Sequence, residues 1–395
     1  MSRISRRDML AMGAAAVMAA DAQEKNESKA AGPDQKRLTL AFIGTGHRAW
    51  QHLEVLKSVP DFQVVALADP TTENLDHAAS IVGTGVHTYA DYHDMLGKEK
   101  SVDGVVVVTP TFLHADPTIA ALSDGHHVLC EKPMAISIEQ ANAMIAASER
   151  NGKTLQIGLQ MRCDPVYAKV AEIGRSEQLG GIAYVSGNLY RGDWYDKSWK
   201  YVDPKTGVAT NWRYLTKTAG SSLMEDGIHE LDILNWAINS NVTRVRATGG
   251  NNVYKNRETI DHAGVLIDYE NGVKLAFEFC IFAPNSGAAS RRMALIGPEG
   301  NLQMEQRKLT LRQKREGAKQ VDVAEHVPAP VAAQKNGGDH DIGTYRQYLA
   351  FANSIRTGAK PLSNGQSAKN VLKISLLAEK SLREGRIVSW NDLPA

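Results

Sequence analysis

LTLAFIGTGHRA, residues 38–49, is the stretch of sequence that decides the fold of this chain. Its first half is a short apolar run typical of a buried strand, and Gly44, Gly46 and Ala49 then form the pattern G-x-G-x-x-A. The glycines permit a tight turn, and the start of the following helix offers N–H groups and partial positive charge. The stretch therefore predicts a strand, a turn and a helix that together bind a pyrophosphate.

Short apolar runs continue to alternate with helix-length segments after this stretch. The runs are FQVVALA (62–68), GVVVV (104–108), HHVLC (126–130) and TLQIGL (154–159). Their alternation with helices is the βαβ rhythm of a parallel sheet. Ser137 and Gln140 are spaced as a capping box at the start of one intervening helix, and Asn151-Gly152 ends it. We therefore expect an α/β Rossmann-type domain with a parallel sheet over residues 38–160.

Beyond residue 160 the pattern changes to longer alternating strands. We predict strands at 182–190, 263–269, 273–282 and 293–296, joined in part by the turns 270–272 and 297–300. Two segments, 345–355 and 367–382, have helical spacing. We therefore expect residues 161–395 to form an α+β domain with a large, mostly antiparallel sheet. This domain is expected to bind the substrate and to form a homo-oligomer.

The first residues differ from the rest of the chain. Arg6 and Arg7 precede an apolar stretch, 11–20, that is too short to span a bilayer, and the small-residue site Ala20-Asp21-Ala22 follows. This order is typical of a twin-arginine export signal. We expect residues 1–22 to be that signal and residues 23–37 to be a polar linker. The mature protein is then periplasmic or otherwise extracytoplasmic.

The bulk composition excludes several classes of partner. The 45 Lys and Arg residues balance 44 Asp and Glu residues, so the net charge of +1 provides no basic field for nucleic acid or an anionic membrane. The three cysteines, Cys130, Cys163 and Cys280, are far apart in the sequence. Their spacing fits neither a disulfide framework nor a zinc-binding pair. We expect a small-molecule ligand, no nucleic acid, no membrane association beyond the export signal, and no metal.

The end of the second predicted strand indicates which dinucleotide binds. Asp69 follows Ala68, at the position where a carboxylate can accept hydrogen bonds from an adenosine ribose. The same carboxylate would repel a 2′-phosphate, so NAD is the expected cofactor and NADP the alternative. A solvated aspartate after a glycine-rich turn is the simpler interpretation, but the two features stand in register.

Further motifs follow the predicted strands in order. They are VTPTFLH at 108–114, CEKP at 130–133, QMR at 160–162, NWR at 211–213 and the segment around His229. Together they resemble the signatures of the Gfo/Idh/MocA family, which includes glucose-fructose oxidoreductase and inositol dehydrogenase. The resemblance covers most of the chain after the predicted linker.

The resemblance implies an NAD(P)-dependent oxidoreductase that moves a hydride between a secondary alcohol of a sugar or polyol and the nicotinamide. The cofactor residues that we predict are Gly44, Gly46, Arg48 and Asp69 in the fingerprint region and, by resemblance, Thr109, Pro110, His114, Glu131, Lys132, Gln160, Trp212 and Arg213. Simpler interpretations stay open: Thr109 and Pro110 could merely end a strand, and Trp212 and Arg213 could be a surface cation–π pair.

Three residues are the candidates for the chemistry: Lys132, His229 and Glu225. Burial or a neighbouring cation can lower the pKa of a lysine enough for it to accept a proton, although a solvated turn lysine is the alternative. In the family an aspartate commonly stands four residues before the histidine; here that position is Glu225, and Asp226 follows it. Helical spacing favours Glu225, because it shares a face with His229. A core histidine satisfied by Asp232 is the alternative.

The segment YRGDWYDKSWKY, residues 190–201, is rich in aromatic residues. Aromatic faces beside hydrogen-bonding groups suit a sugar ring, although packing is the simpler interpretation. Two other functions also stay open. One is a redox-neutral glycosidase or epimerase that works through a transient keto-sugar, and the other is a non-catalytic NAD-binding sensor.

The export signal makes a direct prediction. Changing Arg6→Lys together with Arg7→Lys removes the feature that a twin-arginine signal requires. We expect uncleaved precursor to accumulate in the cytoplasm, which cell fractionation and immunoblotting would detect. Normal export of the double variant would contradict the twin-arginine interpretation.

Overall fold

The structure, a computed structural model, describes residues 36–193, 200–203, 205–283, 290–323 and 339–395. The predicted signal, residues 1–22, and all but the last two residues of the predicted linker, 23–37, lie outside these ranges. So do residues 194–199, the middle of the predicted aromatic segment 190–201. In the described part of the chain, no helix is both long enough and apolar enough to cross a membrane.

Six parallel strands form the first sheet, as the alternating pattern predicts. They are β1 (Leu38–Ile43), β2 (Phe62–Ala68), β3 (His87–Tyr89), β4 (Gly104–Val107), β5 (His127–Cys130) and β6 (Leu155–Ile157). The connecting helices are α1 (His47–Leu56), α2 (Thr72–Val82), α3 (Tyr92–Lys98), α4 (Ala115–Ser123) and α5 (Ile138–Asn151). The strand order β3-β2-β1-β4-β5-β6 is that of a dinucleotide-binding Rossmann fold.

Half of the predicted capping box is confirmed at the start of α5, because the Gln140 side chain accepts the N–H of Ile136 instead of that of Ser137. The Ser137 side chain accepts a hydrogen bond from the backbone N–H of Gln140, and Gly152 ends the helix in the left-handed conformation. The four residues of β4 are all buried, which explains why this strand is a continuous apolar run rather than an alternating one.

A nine-stranded sheet dominates the remaining chain. Its elements and their neighbours are α6 (Pro165–Arg175), β7 (Tyr184–Tyr190), β8 (Lys200–Val202), β9 (Ala209–Asn211), α7 (Thr216–Ala219), α8 (Ile228–Ile238), β10 (Val242–Gly250), β11 (His262–Tyr269), β12 (Lys274–Cys280), β13 (Ser290–Ile296), β14 (Gly300–Glu305), β15 (Lys308–Gln313), β16 (Gly317–Val321), α9 (Asp339–Thr357), α10 (Gly365–Glu384) and β17 (Val388–Ser389).

The predicted large, mostly antiparallel sheet is confirmed. The strand order is β16-β15-β14-β13-β7-β12-β11-β10-β17, and only β7 and β12 pair in parallel. The hairpin of β8 and β9 is separate from this sheet. Burial alternates along β11 and β12, because helices cover only one face of the sheet.

Helix α9 packs on the first sheet, although it lies near the C-terminus. Its Tyr348 and Phe351 are fully buried in one cluster with Phe42 and Phe62. The rings of Phe62 and Phe351 stack with centroids 6.1 Å apart. Helix α10 instead packs against both α5 and β10, so a single apolar cluster reaches from the first sheet to the second. The two sheets are therefore joined through a shared core.

Helix α10 also carries a buried carboxyl group, that of Glu379. Burial raises the pKa of Glu379 to about 7, while a hydrogen bond with Ser221 and the charge of Arg383 oppose the shift. Because this pKa is higher in the folded state than in the unfolded state, folding favours the protonated form. The resulting stabilisation is complete at low pH and is lost as the pH rises towards 7.

The variant Glu379→Gln should therefore change stability in a pH-dependent way. At about pH 5 both proteins carry a neutral group and should unfold at similar temperatures, whereas at about pH 8 the variant should be more stable by about 2 kcal/mol. Calorimetric melting at the two pH values measures the difference. An equal effect of the substitution at both pH values would contradict the raised pKa.

Candidate active site

One cleft of 1290 Å³ lies at the carboxyl ends of the first sheet's strands, and residues of the second domain form its other wall. Its volume exceeds the roughly 300–1,000 Å³ of an ordinary ligand pocket. Every residue predicted to bind the cofactor or to act in the chemistry lines this cleft: Gly44, Gly46, Arg48, Asp69, Thr109, Pro110, His114, Glu131, Lys132, Gln160, Trp212, Arg213, Glu225 and His229. Asp226, the alternative carboxylate, lines it too.

The two glycines of the fingerprint have different structural roles. Gly44 has a φ of +86°, and a Cβ there would lie 2.8 Å from the backbone of Val108 and Thr109. It therefore allows β1 and β4 to end close together. Gly46 begins α1, and a Cβ there would meet only the Asn74 amide, at 4.0 Å. The missing side chain of Gly46 thus leaves open space at a helix N-terminus, which is where a pyrophosphate fits.

Asp69 holds the glycine turn in place. Its Oδ2 accepts the N–H of Thr45 at 2.8 Å, and its Oδ1 accepts the N–H of Thr71, at the start of α2, also at 2.8 Å. The carboxylate was predicted to meet the ribose, and it does line the cleft. Its hydrogen bonds add a second role, because the same group fixes the backbone on both sides of the dinucleotide site. Together with Gly46, it makes the cleft fit a nicotinamide dinucleotide.

Behind the cleft, Glu131 is the centre of a buried hydrogen-bond network. Arg48 Nε and His52 Nε2 both lie 2.8 Å from its Oε1, and the backbone N–H of Lys132 donates to Oε2 at 2.8 Å. Burial alone would raise the pKa of Glu131, but the charge of Arg48 and the hydrogen bond from His52 hold it well below its ordinary value. Glu131 is therefore a fixed anion that positions the main chain of Lys132.

A second layer supports this network. His52 Nδ1 lies 2.7 Å from the hydroxyl of Tyr348, on α9, and both side chains are fully buried. Burial and the charge of Arg48 lower the pKa of His52, which favours the neutral ring. The neutral ring then donates a hydrogen bond from Nε2 to Glu131 and accepts a hydrogen bond from the Tyr348 hydroxyl at Nδ1. His52 and Tyr348 were not predicted from the sequence, since each has the spacing of an ordinary residue on the buried face of a helix.

His114 joins the two family motifs. Its Nδ1 lies 2.7 Å from the carbonyl oxygen of Pro133, and its Nε2 lies 2.8 Å from that of Thr109. The ring is buried, and burial lowers the pKa of His114. By resemblance His114 was predicted to be a cofactor residue; it lines the cleft, and both of its ring nitrogens face protein carbonyls. The structure therefore gives His114 the role of holding the two motifs together.

The segment before His229 departs from a regular helix. Residues Leu223–Gly227 form a π turn, and the α-helix begins only at Ile228. The regular spacing assumed from the sequence is therefore wrong between Glu225 and His229, because a π turn holds more residues than an α turn. Both side chains nevertheless reach the cleft. Such local widenings often occur at functional sites.

Glu225 is bound on all sides. Its Oε1 accepts a hydrogen bond from the Thr111 hydroxyl at 2.6 Å, and its Oε2 lies 3.2 Å from Arg213 Nη2. Its backbone oxygen accepts a hydrogen bond from Lys132 Nζ at 2.6 Å. Burial raises the pKa of Glu225, although the charges of Arg213 and Lys132 oppose it. Burial likewise lowers the pKa of Lys132, and the attraction of Glu225 opposes the shift. The site thus favours a lysine that can lose its proton.

His229 is at the wall of the cleft and is only 4% exposed. Asp232, the partner that the simpler alternative gave to this histidine, has both oxygens bound by Arg162, at 2.6 and 2.7 Å. The alternative of a surface Trp212–Arg213 pair is wrong in its location. The guanidinium does lie 4.9 Å from the Trp212 ring centroid, but both residues are buried.

Other predicted features have simple outcomes. All three cysteines are free, and Cys130 is buried. Tyr201 lines the cleft and packs against Phe112, with ring centroids 5.3 Å apart. Within the described ranges, no group of His, Cys, Asp and Glu side chains is arranged to hold a metal ion.

A Rossmann sheet with a glycine turn, joined to a second sheet that closes the cleft, defines a nicotinamide-dinucleotide oxidoreductase. Family comparison agrees with this class. The model "Oxidoreductase family, NAD-binding Rossmann fold" matches residues 38–159, and "Oxidoreductase family, C-terminal alpha/beta domain" matches residues 175–390. The chain belongs to the Gfo/Idh/MocA oxidoreductase family.

Individual relatives extend this comparison. Inositol 2-dehydrogenase of Salmonella typhimurium is 29% identical over 53% of this chain and 57% of the relative. The scyllo-inositol 2-dehydrogenase (NAD(+)) of Bacillus subtilis is 23% identical over 89% of this chain and 96% of the relative. A crystal structure of an oxidoreductase from Agrobacterium radiobacter, in complex with NAD+, L-tartaric acid and magnesium, has a TM-score of 0.77 at 18% identity, covering 90% of this chain and 99% of that one.

The open space at Gly46 predicts how a larger side chain acts there. Gly46→Val should place methyl groups where the pyrophosphate must lie and should abolish NAD binding, while the melting temperature changes little. Gly97→Val is a matched control, because Gly97 also has open space around its Cβ position but does not line the cleft. Calorimetric titration with NAD compares the two variants. Parental NAD affinity in Gly46→Val would contradict this location of the pyrophosphate.

Proposed function

We propose that the protein transfers a hydride between NAD and a secondary alcohol of a sugar or polyol. The observation that carries the proposal is Lys132, a partly buried lysine with a lowered pKa, whose Nζ donates to the backbone oxygen of Glu225 in the second domain. The names of the inositol dehydrogenase relatives support the class of substrate. The cofactor that the family binds, when present, supplies the redox chemistry.

The residues of the first domain would hold the dinucleotide. Gly44 and Gly46 leave room for the pyrophosphate, Asp69 lies where the adenosine ribose is expected, and Thr109 and Pro110 continue the same wall. Trp212 and Arg213 approach from the second domain. A dinucleotide held by these residues would supply hydride transfer in the cleft that Lys132 also lines.

The protein's part in the chemistry is to move one proton and to orient the alcohol. Lys132 Nζ is held by the backbone oxygen of Glu225, so the amine has a fixed direction. A neutral Lys132 accepts the hydroxyl proton when the alcohol is oxidised, and the ammonium returns it in the reverse direction. His229 acts on the same hydroxyl or on a neighbouring one. Glu225 is held by Thr111 and Arg213 and fixes the position of the lysine.

Two proposals concern the setting of this reaction. We propose that residues 1–22 direct export by the twin-arginine route, which carries folded proteins and would allow the cofactor to be loaded in the cytoplasm. We also propose that the protein is a homo-oligomer. Both rest on the sequence, and the double arginine variant and a measurement of the solution mass test them separately.

The redox-neutral alternatives can be distinguished from net oxidation by the fate of the cofactor. A dehydrogenase accumulates NADH as product forms, whereas a glycosidase or epimerase that works through a transient keto-sugar forms product with no lasting absorbance change at the NADH band. A sensor binds NAD and ligand without turnover. Absorbance and product chromatography on one reaction mixture separate the three outcomes.

Lys132→Met should lower kcat by roughly 10²- to 10⁴-fold, which is the usual loss for a missing acid–base group, and should leave NAD affinity nearly unchanged. Lys308→Met is a suitable control, because Lys308 is exposed on β15, away from the cleft. A sugar panel followed by steady-state kinetics measures the effect. Near-parental kcat in a folded Lys132→Met protein would show that this lysine is not the proton acceptor.

The pH dependence and a double variant sharpen this test. Because only the neutral amine accepts a proton, kcat for alcohol oxidation should rise with pH and level off above the lowered pKa of Lys132. The rise should be absent in Lys132→Met. His229→Ala should also slow turnover, and its effect should be non-additive with that of Lys132→Met if the two residues share a proton path.

A further inference from the structure

The turn that follows β4 is a point where the first domain contacts the second. It is one turn of 3-10 helix, Thr111–Leu113, and two of its residues contact the second domain. The Thr111 hydroxyl donates to Glu225 Oε1 at 2.6 Å, and the Phe112 ring packs edge-on against Tyr201, with centroids 5.3 Å apart. The position of this turn is therefore set by both domains.

The same turn is tied to the loop that carries the reacting lysine. His114 Nδ1 lies 2.7 Å from the carbonyl oxygen of Pro133, which follows Lys132 in the chain. Lys132 Nζ donates to the backbone oxygen of Glu225 at 2.6 Å. Two loops of the first domain thus hold one residue of the second domain: Thr111 binds the carboxylate of Glu225, and Lys132 binds its backbone.

The charge of Glu225 depends on opposing influences. Its side chain is 1% exposed, and this burial raises the pKa of Glu225. The charges of Arg213 and Lys132 and the hydrogen bond from Thr111 lower the pKa, whereas the charge of Asp226 raises it. Because these influences oppose one another, a hydrogen bond to the charged form has a large effect on the fraction of Glu225 that is ionised.

The charge of Glu225 in turn acts on the lysine. Burial lowers the pKa of Lys132, and the largest opposing influence is the attraction of Glu225. The other titratable and charged groups around this lysine are Glu131 and Asp226, which raise its pKa, Arg213, which lowers it, and His229, which lines the same cleft. Without the charge of Glu225, the lysine would lack the proton that it must return when a ketone is reduced.

We propose that Thr111 is a positioning residue for the proton transfer: its hydroxyl holds Glu225 as an anion beside Lys132, and this anion keeps the lysine able to carry a proton. This role of Thr111 rests on the proposed function, in which Lys132 moves the proton. A neutral donor suits the position, because a further cation would stabilise the anion but would also repel a proton from the lysine.

The protonation of Lys132 can be measured without turnover. Acetic anhydride reacts with the neutral amine, and peptide mass spectrometry after trace labelling gives the extent of acetylation at each lysine as a function of pH. Lys132 lines the cleft and is only partly buried, and the exposed Lys308 is an internal reference. The measured quantity is the pH at which labelling of Lys132 rises, which does not depend on its absolute rate.

Thr111→Val keeps the shape of the side chain and removes the hydroxyl. On the rising part of the pH curve, Lys132 should label about 3- to 10-fold more than in the parent, since a hydrogen bond to a charged group contributes up to about this factor. Thr111→Ser keeps a hydroxyl and should restore the parental curve. Glu225→Gln removes the charge directly and should shift the curve at least as far as Thr111→Val.

Thr39→Val is the matched control. The Thr39 hydroxyl also donates to a carboxylate, that of Asp103, at 2.9 Å, but neither residue lines the cleft. This variant should leave the labelling curve of Lys132 unchanged.

Turnover in both directions gives a second measurement, on the alcohol that the sugar panel identifies and on its ketone. Thr111→Val should move the rise of kcat for oxidation to lower pH and should lower kcat for reduction at neutral pH, because fewer lysines carry a proton. Mere structural damage would lower kcat in both directions without moving the rise.

The outcomes separate the role of Thr111 from the proposed function. If the labelling curve of Lys132 is the same in a folded Thr111→Val protein as in the parent, or if Glu225→Gln does not shift it, Thr111 does not have this role, even where sugars are oxidised. If the curve shifts as predicted but no sugar reduces NAD or forms any product, the effect of Thr111 on the lysine stands and the proposed function fails.

Discussion

The buried carboxylate of Glu131 is the interaction on which the rest of the site depends. An ion taken out of water costs several kcal/mol unless it is paired and hydrogen-bonded. Glu131 meets this condition with donors from α1, Arg48 and His52, and from the main chain of Lys132. Space for it exists because Gly158 has no side chain: a Cβ there would lie 3.0 Å from Glu131 Oε2. The reacting lysine is therefore fixed through its neighbour in sequence, by elements that are far apart in the chain.

Local patterns in the sequence predicted much of the fold. The strand predicted at 263–269 is β11, His262–Tyr269, and the strand predicted at 182–190 is β7, Tyr184–Tyr190. These segments were recognisable because one face of each is buried, which imposes alternation on the residues. Strands such as β3 and β16 escaped prediction for the opposite reason. β3 has only three residues, and four of the five residues of β16 are exposed, so neither bears an apolar pattern.

The site was predictable where chemistry is local and unpredictable where it depends on tertiary contacts. Every residue that was predicted from the fingerprint and the family motifs lines the cleft. The π turn could not be predicted, since nothing in the spacing of Leu223–Gly227 shows where the backbone hydrogen bonds change register. The partnership of His52 with Tyr348 arises from the packing of two helices that are separated by most of the chain. Likewise, only the contact between the two domains brings Thr111 to Glu225.

The position of α9 has a consequence for the order in which this protein can fold. The first domain is synthesised first, yet the face of its sheet that carries Phe42 and Phe62 is covered by Tyr348 and Phe351, which are synthesised near the end. Before α9 is synthesised, the part of this apolar face that Tyr348 and Phe351 cover lacks that cover, since in the described part of the chain α9 packs there. The His52 ring likewise meets Tyr348 only at that late stage. Completion of the dinucleotide half thus waits until α9 has been synthesised, late in translation, and the apolar surface that α9 covers is open to association until then.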